Sequence, residues 1–171
     1  KKIEEAREYA KLQKAVKICN ELNISITTRG TGATFSGQAL PPQEGLVISL
    51  AQLNQITRCS EFLQVEAGVT LSSLKNYAVQ NDLFLPIFHS QELEKSLEES
   101  FSSCKSIFSQ RNFQWENYTK QVSFIDGQGS LQTSLPDSLC AMEGTMGVIT
   151  SLKLKLPPNT RNPYNVELKS S

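Results

Sequence analysis

A single histidine, His89, stands in the whole 171-residue chain. An isolated histidine is more often structural than catalytic, so no acid–base relay is read around it. The four cysteines, Cys19, Cys59, Cys104 and Cys140, lie roughly forty residues apart and form no close pair. That spacing excludes the usual zinc ligand pattern, and no metal site is expected. It fits buried free thiols in a reducing intracellular compartment, cytoplasm or mitochondrion. Neither sign of charge is in surplus, since seventeen Lys and Arg balance seventeen Asp and Glu. No global field draws in nucleic acid or an anionic membrane, and neither is expected as a partner. No apolar run approaches the ~20 residues of a spanning helix. The opening Lys-Lys-Ile-Glu-Glu-Ala-Arg is too charged for a signal-peptide core. Asn23-Ile-Ser and Asn117-Tyr-Thr match a glycosylation sequon, but nothing else points to secretion. Glycine is missing from the whole interval 69–126.

Glycine is concentrated instead in residues 27–42, Thr-Thr-Arg-Gly-Thr-Gly-Ala-Thr-Phe-Ser-Gly-Gln-Ala-Leu-Pro-Pro. Gly30, Gly32 and Gly37 alternate with Thr31, Thr34 and Ser36, just after the alternating segment that begins at Ile24. Such a run can turn several N–H groups toward one anion, with hydroxyls and the Arg29 guanidinium beside them. Read alone, it fits a surface loop between two strands equally well. No Lys-Ser/Thr follows, so it is not a Walker A loop, and Pro41-Pro42 cannot run on as the helix of a dinucleotide fold. A phosphate bound here would be held by a loop, not by a helix N-terminus.

The rest of the chain reads as alternating helices and strands. Leu12, Ala15, Val16, Cys19 and Leu22 recur at three- and four-residue steps and predict a helix over 3–22 that Asn23 stops. Residues 24–28 and the β-branched run 46–50 predict strands, the second one buried. In 62–68, Leu63, Val65 and Ala67 fall on one face and Gln64 and Glu66 on the other. Thr70 is placed to cap a helix carrying Leu71, Leu74, Tyr77 and Ala78. Leu93, Leu97, Phe101, Cys104 and Phe108 predict a helix over 90–108, with Ser90 as its cap and Glu92 and Glu94 at its positive end. Asp126-Gly127 and Gln128-Gly129 supply turn chemistry for a hairpin between 121–125 and 130–133. Residues 148–156 alternate as a half-buried strand that Pro157-Pro158 ends, and a polar tail follows. The fold class expected is α+β, two small αβ lobes with mixed parallel and antiparallel sheets, divided at 1–88 and 89–171 with a cleft between them.

Several of these segments, in this order, resemble one family. They are 29–39, Gly45-Leu-Val-Ile-Ser-Leu, Leu53-Asn-Gln-Ile, Val65-Glu-Ala-Gly-Val-Thr-Leu and Leu83-Phe-Leu-Pro, then Gln121-Val-Ser-Phe-Ile-Asp-Gly-Gln-Gly, Glu143-Gly-Thr-Met-Gly-Val-Ile-Thr and Leu152-Lys-Leu-Lys-Leu-Pro-Pro. Together they resemble the FAD-binding (PCMH-type) domain of the vanillyl-alcohol oxidase / p-cresol methylhydroxylase flavoproteins, nearest to the D-lactate and glycolate dehydrogenase branch. The resemblance implies an FAD-linked oxidoreductase acting on a 2-hydroxy acid, with the flavin accepting a hydride. It implies that Arg29, Gly30, Thr31, Gly32, Ala33 and Thr34 line the FAD pyrophosphate, with Gly37, Gln38 and Ala39 holding the return of the loop. Gly144, Gly147, Val148 and Ile149, within the second signature at 143–150, would support the adenine side. Some relatives tether the flavin through a histidine at the position of Ala33; alanine has no nucleophile, so the flavin would be held non-covalently.

The chain also departs from that pattern. The family's next element, a second glycine-rich stretch of the form Gly-Gly-x-x-Ala, is missing, and 90–108 stands in its place. The interval before the Glu-Gly-Thr signature is short, and the large substrate domain that follows in the family is not in the sequence. No catalytic residue is assigned, and turnover by this chain alone is not expected. Arg111 and Trp115 fit either a flavin cover or a polar linker with core anchors. The alternative to a flavin domain is a degenerate, cofactor-free relative kept as a structural or accessory subunit. A protein partner would then complete the cleft, docking on the 90–108 helix if Phe101 and Phe108 are exposed.

Overall fold

A computed structural model describes residues 2–32, 45–83, 85, 93–103, 115–139 and 146–156. Helix α1 spans Lys2–Glu21 and buries Val16 and Cys19. It ends on Asn23, whose φ of 54° is left-handed, while the Ile24 N–H donates back to the Cys19 carbonyl at 2.8 Å and that of Asn23 to Asn20 at 3.2 Å. These are the two bonds of a Schellman cap, with asparagine where glycine is commonest. Leu22 therefore lies past the helix and is exposed, against the expectation that it continues the apolar face.

Two sheets follow. Strands β1 (Ser25–Arg29) and β2 (Gly45–Ser49) pair in parallel, with Ser25 opposite Gly45. Strands β3 (Ile56–Arg58), β4 (Phe62–Glu66), β5 (Thr119–Ile125), β6 (Leu131–Ser134) and β7 (Val148–Lys155) form an antiparallel sheet in the order β3-β4-β7-β5-β6. This five-stranded sheet draws on residues from both sides of position 88. Central β7 buries Val148, Ile149, Thr150, Ser151, Leu152 and Leu154. Leu63, Val65, Val122, Ile125 and Leu152 are wholly buried, each contributing about 1.5–3 kcal/mol by its removal from water. The architecture is α+β with mixed parallel and antiparallel sheets, as the sequence pattern implies.

Helix α2 (Leu71–Gln80) begins where Thr70 accepts the Ser73 N–H at 3.1 Å, and it buries Leu71, Leu74 and Ala78. It ends on a second Schellman cap, with Asp82 at φ 52° and the Leu83 N–H on the Ala78 carbonyl at 2.8 Å. The β5–β6 hairpin turns through residues 126–130. The Asp126 carboxylate accepts the N–H groups of Gln128 and Ser130 at 2.9 Å and the Gln132 side-chain amide at 3.1 Å. The Ser130 N–H foremost holds that carboxyl below the usual carboxylate range. Helix α1 is held on the five-stranded sheet, because Gln13 donates to the Gly129 carbonyl at 3.1 Å and the Tyr9 hydroxyl to Glu66 at 2.8 Å.

Three expectations need correcting. Strand β2 is not buried: Leu46 and Val47 are 39% and 41% exposed. Glu66, placed with Gln64 on the face opposite Leu63 and Val65, is buried as they are, with its two oxygens held by the Tyr9 hydroxyl and by the Gln55 N–H at 2.9 Å. The helix expected over 90–108 starts seven residues late. Helix α3 spans Leu97–Ser103, and residues 93–96 are instead drawn alongside 69–72, with Thr70 bridging Ser96 and the Leu71 and Ser72 N–H groups donating to Lys95 and Leu93. Those backbone bonds outcompete helical ones for the same carbonyls. Ser90 and Glu92 lie outside the described residues, as does everything in 104–114. A four-residue helix α4 (Trp115–Tyr118) leads into β5.

The backbone of Gly68 lies directly on the Leu50 carbonyl, where a Cβ would collide with it. Gly68→Ala is expected to cost about 3 kcal/mol by overpacking. Thr70→Ala, which loses only a cap, should cost about 1 kcal/mol. Urea unfolding of the two variants checks the ranking; equal losses would mean that the Gly68 contact relaxes freely.

Candidate functional site

The first glycine loop leaves β1 at Arg29 and turns through residues 30–32. Gly32 sits at φ 71°, a left-handed position that favours glycine, and the Arg29 guanidinium lies where a Gly32 Cβ would be. A Cβ on Gly30 would collide with the Ser96 hydroxyl, so the loop is in direct contact with the residue preceding α3. That contact is set by the exit of β4. The Leu97 N–H donates to the Val69 carbonyl at 2.8 Å and the Glu98 N–H to Ala67 at 3.0 Å. The Ala67 N–H in turn donates to Thr150 of β7 at 2.9 Å, and that of Gly68 to Leu53 at 2.8 Å.

Helix α3 opens with a capping box. The Glu99 N–H donates to the Ser96 hydroxyl at 3.2 Å, and the Glu99 carboxylate accepts the Ser96 N–H at 2.9 Å. The same carboxylate crosses to the glycine loop. It accepts the Gly32 N–H on Oε1 and the Thr31 hydroxyl on Oε2, both at 3.0 Å. Three donors from two segments thus converge on one carboxylate, an arrangement that charge-assisted bonds make strong.

The preceding Glu98, unlike the half-buried Glu99, is buried, next to the Thr28 hydroxyl at the end of β1. Desolvation pushes its carboxyl above the usual value, and the neighbouring Glu99 charge adds to this, while hydrogen bonds from the Ser102 and Thr28 hydroxyls oppose it. The Ser102 bond is 3.0 Å. Trp115 is a core anchor: it is buried, donates from its indole N–H to Ser100 at 3.0 Å and meets Phe101 edge to face at 6.5 Å. Phe101 is wholly buried and offers no docking surface, and Phe108 lies outside the described residues.

Of the residues to which a binding role is assigned from sequence, Arg29, Gly30, Thr31 and Gly32 come together at the tip of β1. Ala33, Thr34, Gly37, Gln38, Ala39 and Gly144 lie outside the described residues, as do His89 and Arg111. Val148 and Ile149 begin β7, opposite Ile125 and Phe124 of β5, and Gly147 immediately precedes them. Val148 and Ile149 are buried, and Gly147, at φ 143°, lies where a Cβ would strike the Ile125 carbonyl. Among the described residues no group of acidic, histidine or cysteine side chains could hold a metal, and no helix is long and apolar enough to cross a membrane.

As placed, the described donors of the loop do not fit a pyrophosphate. The Gly32 N–H and the Thr31 hydroxyl are engaged by Glu99, and Ser96 closes the space over Gly30. Glu98 and Glu99 are the residues that reading the sequence missed. The capping-box spacing Ser96-x-x-Glu99 was a signal for the true start of α3, but nothing local gives the reach of Glu99 to Gly32.

Comparison with known proteins places these features in a lineage. Residues 2–94, more than half of the chain, match the model of the FAD binding domain family. The D-lactate dehydrogenase of Archaeoglobus fulgidus is 25% identical over 167 residues, covering 86% of this chain and 36% of that protein. The flavoprotein subunit of 4-cresol dehydrogenase (hydroxylating) from Pseudomonas putida is 40% identical over 77 residues, covering 42% and 15%. The solved structure of an alkyldihydroxyacetonephosphate synthase superposes with a TM-score of 0.73 at 15% identity, covering 86% of this chain and 32% of that one. The chain spans about a third of the length of the D-lactate dehydrogenase it matches. With the fold, the order of the segments and the family match in agreement, this chain belongs to the FAD-binding-domain family of FAD-linked oxidoreductases.

Proposed function

We propose that this chain is a cofactor-free form of the FAD-binding domain, retained as a structural or accessory module that works with a protein partner. One observation carries the reading: the Glu99 carboxylate holds the Gly32 N–H and the Thr31 hydroxyl, the donors a flavin pyrophosphate would need. The sequence around it supports the same view. The second glycine-rich stretch that the family resemblance implies is missing, and the segment standing in its place carries Glu98 and Glu99.

The partner reading draws on the parallel pair β1–β2. Parallel sheets are normally covered on both faces. Here Leu46 and Val47 are exposed, as are Ile18, Leu22 and Ile24 at the end of α1 and the turn after it. That apolar surface suits a protein neighbour. One relative is by name a flavoprotein subunit, which is in keeping with a role in an assembly. The free thiols Cys19 and Cys59 suit a reducing compartment, cytoplasm or mitochondrion.

The second reading is an FAD-linked oxidoreductase acting on a 2-hydroxy acid with a non-covalent flavin. The composition of residues 29–39 and the likeness to a D-lactate dehydrogenase favour it.

The visible spectrum of the purified chain, after excess FAD and desalting, decides between the two. The expected result is a colourless, folded protein; a retained flavin band near 450 nm at about one per chain returns the oxidoreductase reading. A second expectation concerns Glu98. Its folded-state carboxyl titrates above its unfolded value, so the folded chain holds the extra proton and stability falls as pH rises through that window. Glu98→Gln should therefore melt higher than wild type at pH above the folded value. The gap should close as pH falls to the ordinary glutamate value of 4.5. Thermal melts across that range test this; a pH-independent gap would mean that the Glu98 carboxyl titrates alike in the folded and unfolded chain.

A further inference from the structure

We propose that strand β6 is a dimer edge, pairing antiparallel with β6 of a second copy of this chain about a two-fold axis at Thr133. This holds whichever reading of the glycine loop stands. The five-stranded sheet ends in β3 on one side and β6 on the other. An open edge offers unpaired N–H and C=O groups, which proteins usually guard with charge or by keeping the strand short. Strand β3 is guarded in both ways, since it has three residues and carries Arg58. The β6 edge lacks charge. Extended backbone runs from Leu131 through Leu135 (φ −70°, ψ 150°), and residues 127–136 hold no charged side chain. Gln132 and Thr133 are exposed, and Leu131 and Leu135 are 49% and 68% exposed. Among the described residues, no strand other than β5 lies beside β6.

The ladder with β5 fixes which groups face outward. The Asp126 N–H donates to the Ser130 carbonyl at 3.0 Å, and hydrogen-bonded pairs alternate from there through Phe124–Gln132 and Val122–Ser134. The main-chain groups of Leu131 and Thr133 therefore point to the open edge, and the side chains of Leu131, Thr133 and Leu135 share one face. Antiparallel pairing centred on Thr133 sets that residue against itself, and Leu131 against Leu135 of the second copy. The exposed leucines then cover each other, and the paired threonines add a favourable cross-strand contact. Charge is complementary at the ends of the strand. Asp137, exposed just past Leu135, is carried toward Gly129 of the second copy, where Lys17 stands exposed against that glycine. Two strand edges of this length bury less than the ~1,200 Å² of a stable interface, so the dimer is weak and exchanging. Pairing uses up β6, and the guarded β3 edge does not extend it, so association stops at two.

Sedimentation of the full chain from about 10 to 500 μM tests this, and the mass should rise toward two chains and no further. Thr133→Lys places like charges across the axis and should raise the Kd about tenfold. Because Thr133 is exposed, that variant should melt as wild type does. Thr133→Glu should behave in the same way. An equimolar mixture of the two variants should dimerise again, because self-pairing at Thr133 then sets a lysine against a glutamate. A wild-type chain that stays monomeric at the highest concentration overturns the proposal and leaves the edge to a strand of another protein. Growth beyond two chains overturns it as well. So does a single variant that associates like wild type, or a mixture no more associated than either variant alone.

Discussion

The backbone of residues 67–69 serves three neighbours at once, and the placement of the candidate site depends on it. Ala67 gives its N–H to β7 and its carbonyl to Glu98, Gly68 lies against the loop that leaves β2, and Val69 accepts from Leu97. A side chain on Gly68 would push Leu50 away, and with it the parallel pair that carries Arg29 and Gly32. Close approach at this one glycine is therefore what brings the tip of β1 within reach of α3. The cap of α2 at Thr70 and the bridge to Ser96 continue the same seam.

Along that seam the chain buries unusual residues. Ser96, Glu98, Ser100 and Ser102 are all buried, on a helix whose apolar anchors are Leu97 and Phe101. Burying a polar group is tolerable when it is hydrogen-bonded. Ser96 and Glu99 satisfy each other, Ser102 serves Glu98, and Ser100 serves Trp115. Serine is small enough to let α3 approach β1 closely, and its hydroxyl supplies the partners that the glutamates and the indole require.

What was legible in the sequence follows from the range of the interaction that decides each feature. The Thr70 cap, the amphipathic face of α2, the Asp126 hairpin turn and the strand at β4 are set by neighbours a few residues away, and each stands where periodicity and turn chemistry put it. The order of segments that carried the family resemblance is likewise a property of the linear chain. The start of α3 was misread because an apolar spacing of 4, 4, 3 and 4 from Leu93 onward looks helical throughout, whereas backbone bonds to 69–72 hold residues 93–96 in a turn and a bridge outside the helix. The burial of Glu66 depends on Tyr9, fifty-seven positions away, and the reach of Glu99 to Gly32 spans sixty-seven. Neither leaves a local mark, and the exposure of β2 is decided by what covers a sheet rather than by the strand's own composition.

The two carboxylates bear on cofactor binding through magnitude as much as geometry. A single phosphate charge about 4 Å from a carboxylate, at an effective dielectric near 20, is repelled by about 4 kcal/mol. That alone corresponds to about a thousandfold in affinity. The hydrogen bonds such a phosphate would gain from the Gly32 N–H and the Thr31 hydroxyl are worth about 1.5–3 kcal/mol each when charge-assisted, but Glu99 already collects them. Binding there means exchanging one set of charge-assisted bonds for another while adding a like charge beside Glu98, whose own ionisation burial disfavours. A flavin would have to recover that loss through contacts elsewhere. On the cofactor-free reading this repulsion is what Glu98 and Glu99 add beside the first loop, and a glycine pair in their place would carry no such penalty.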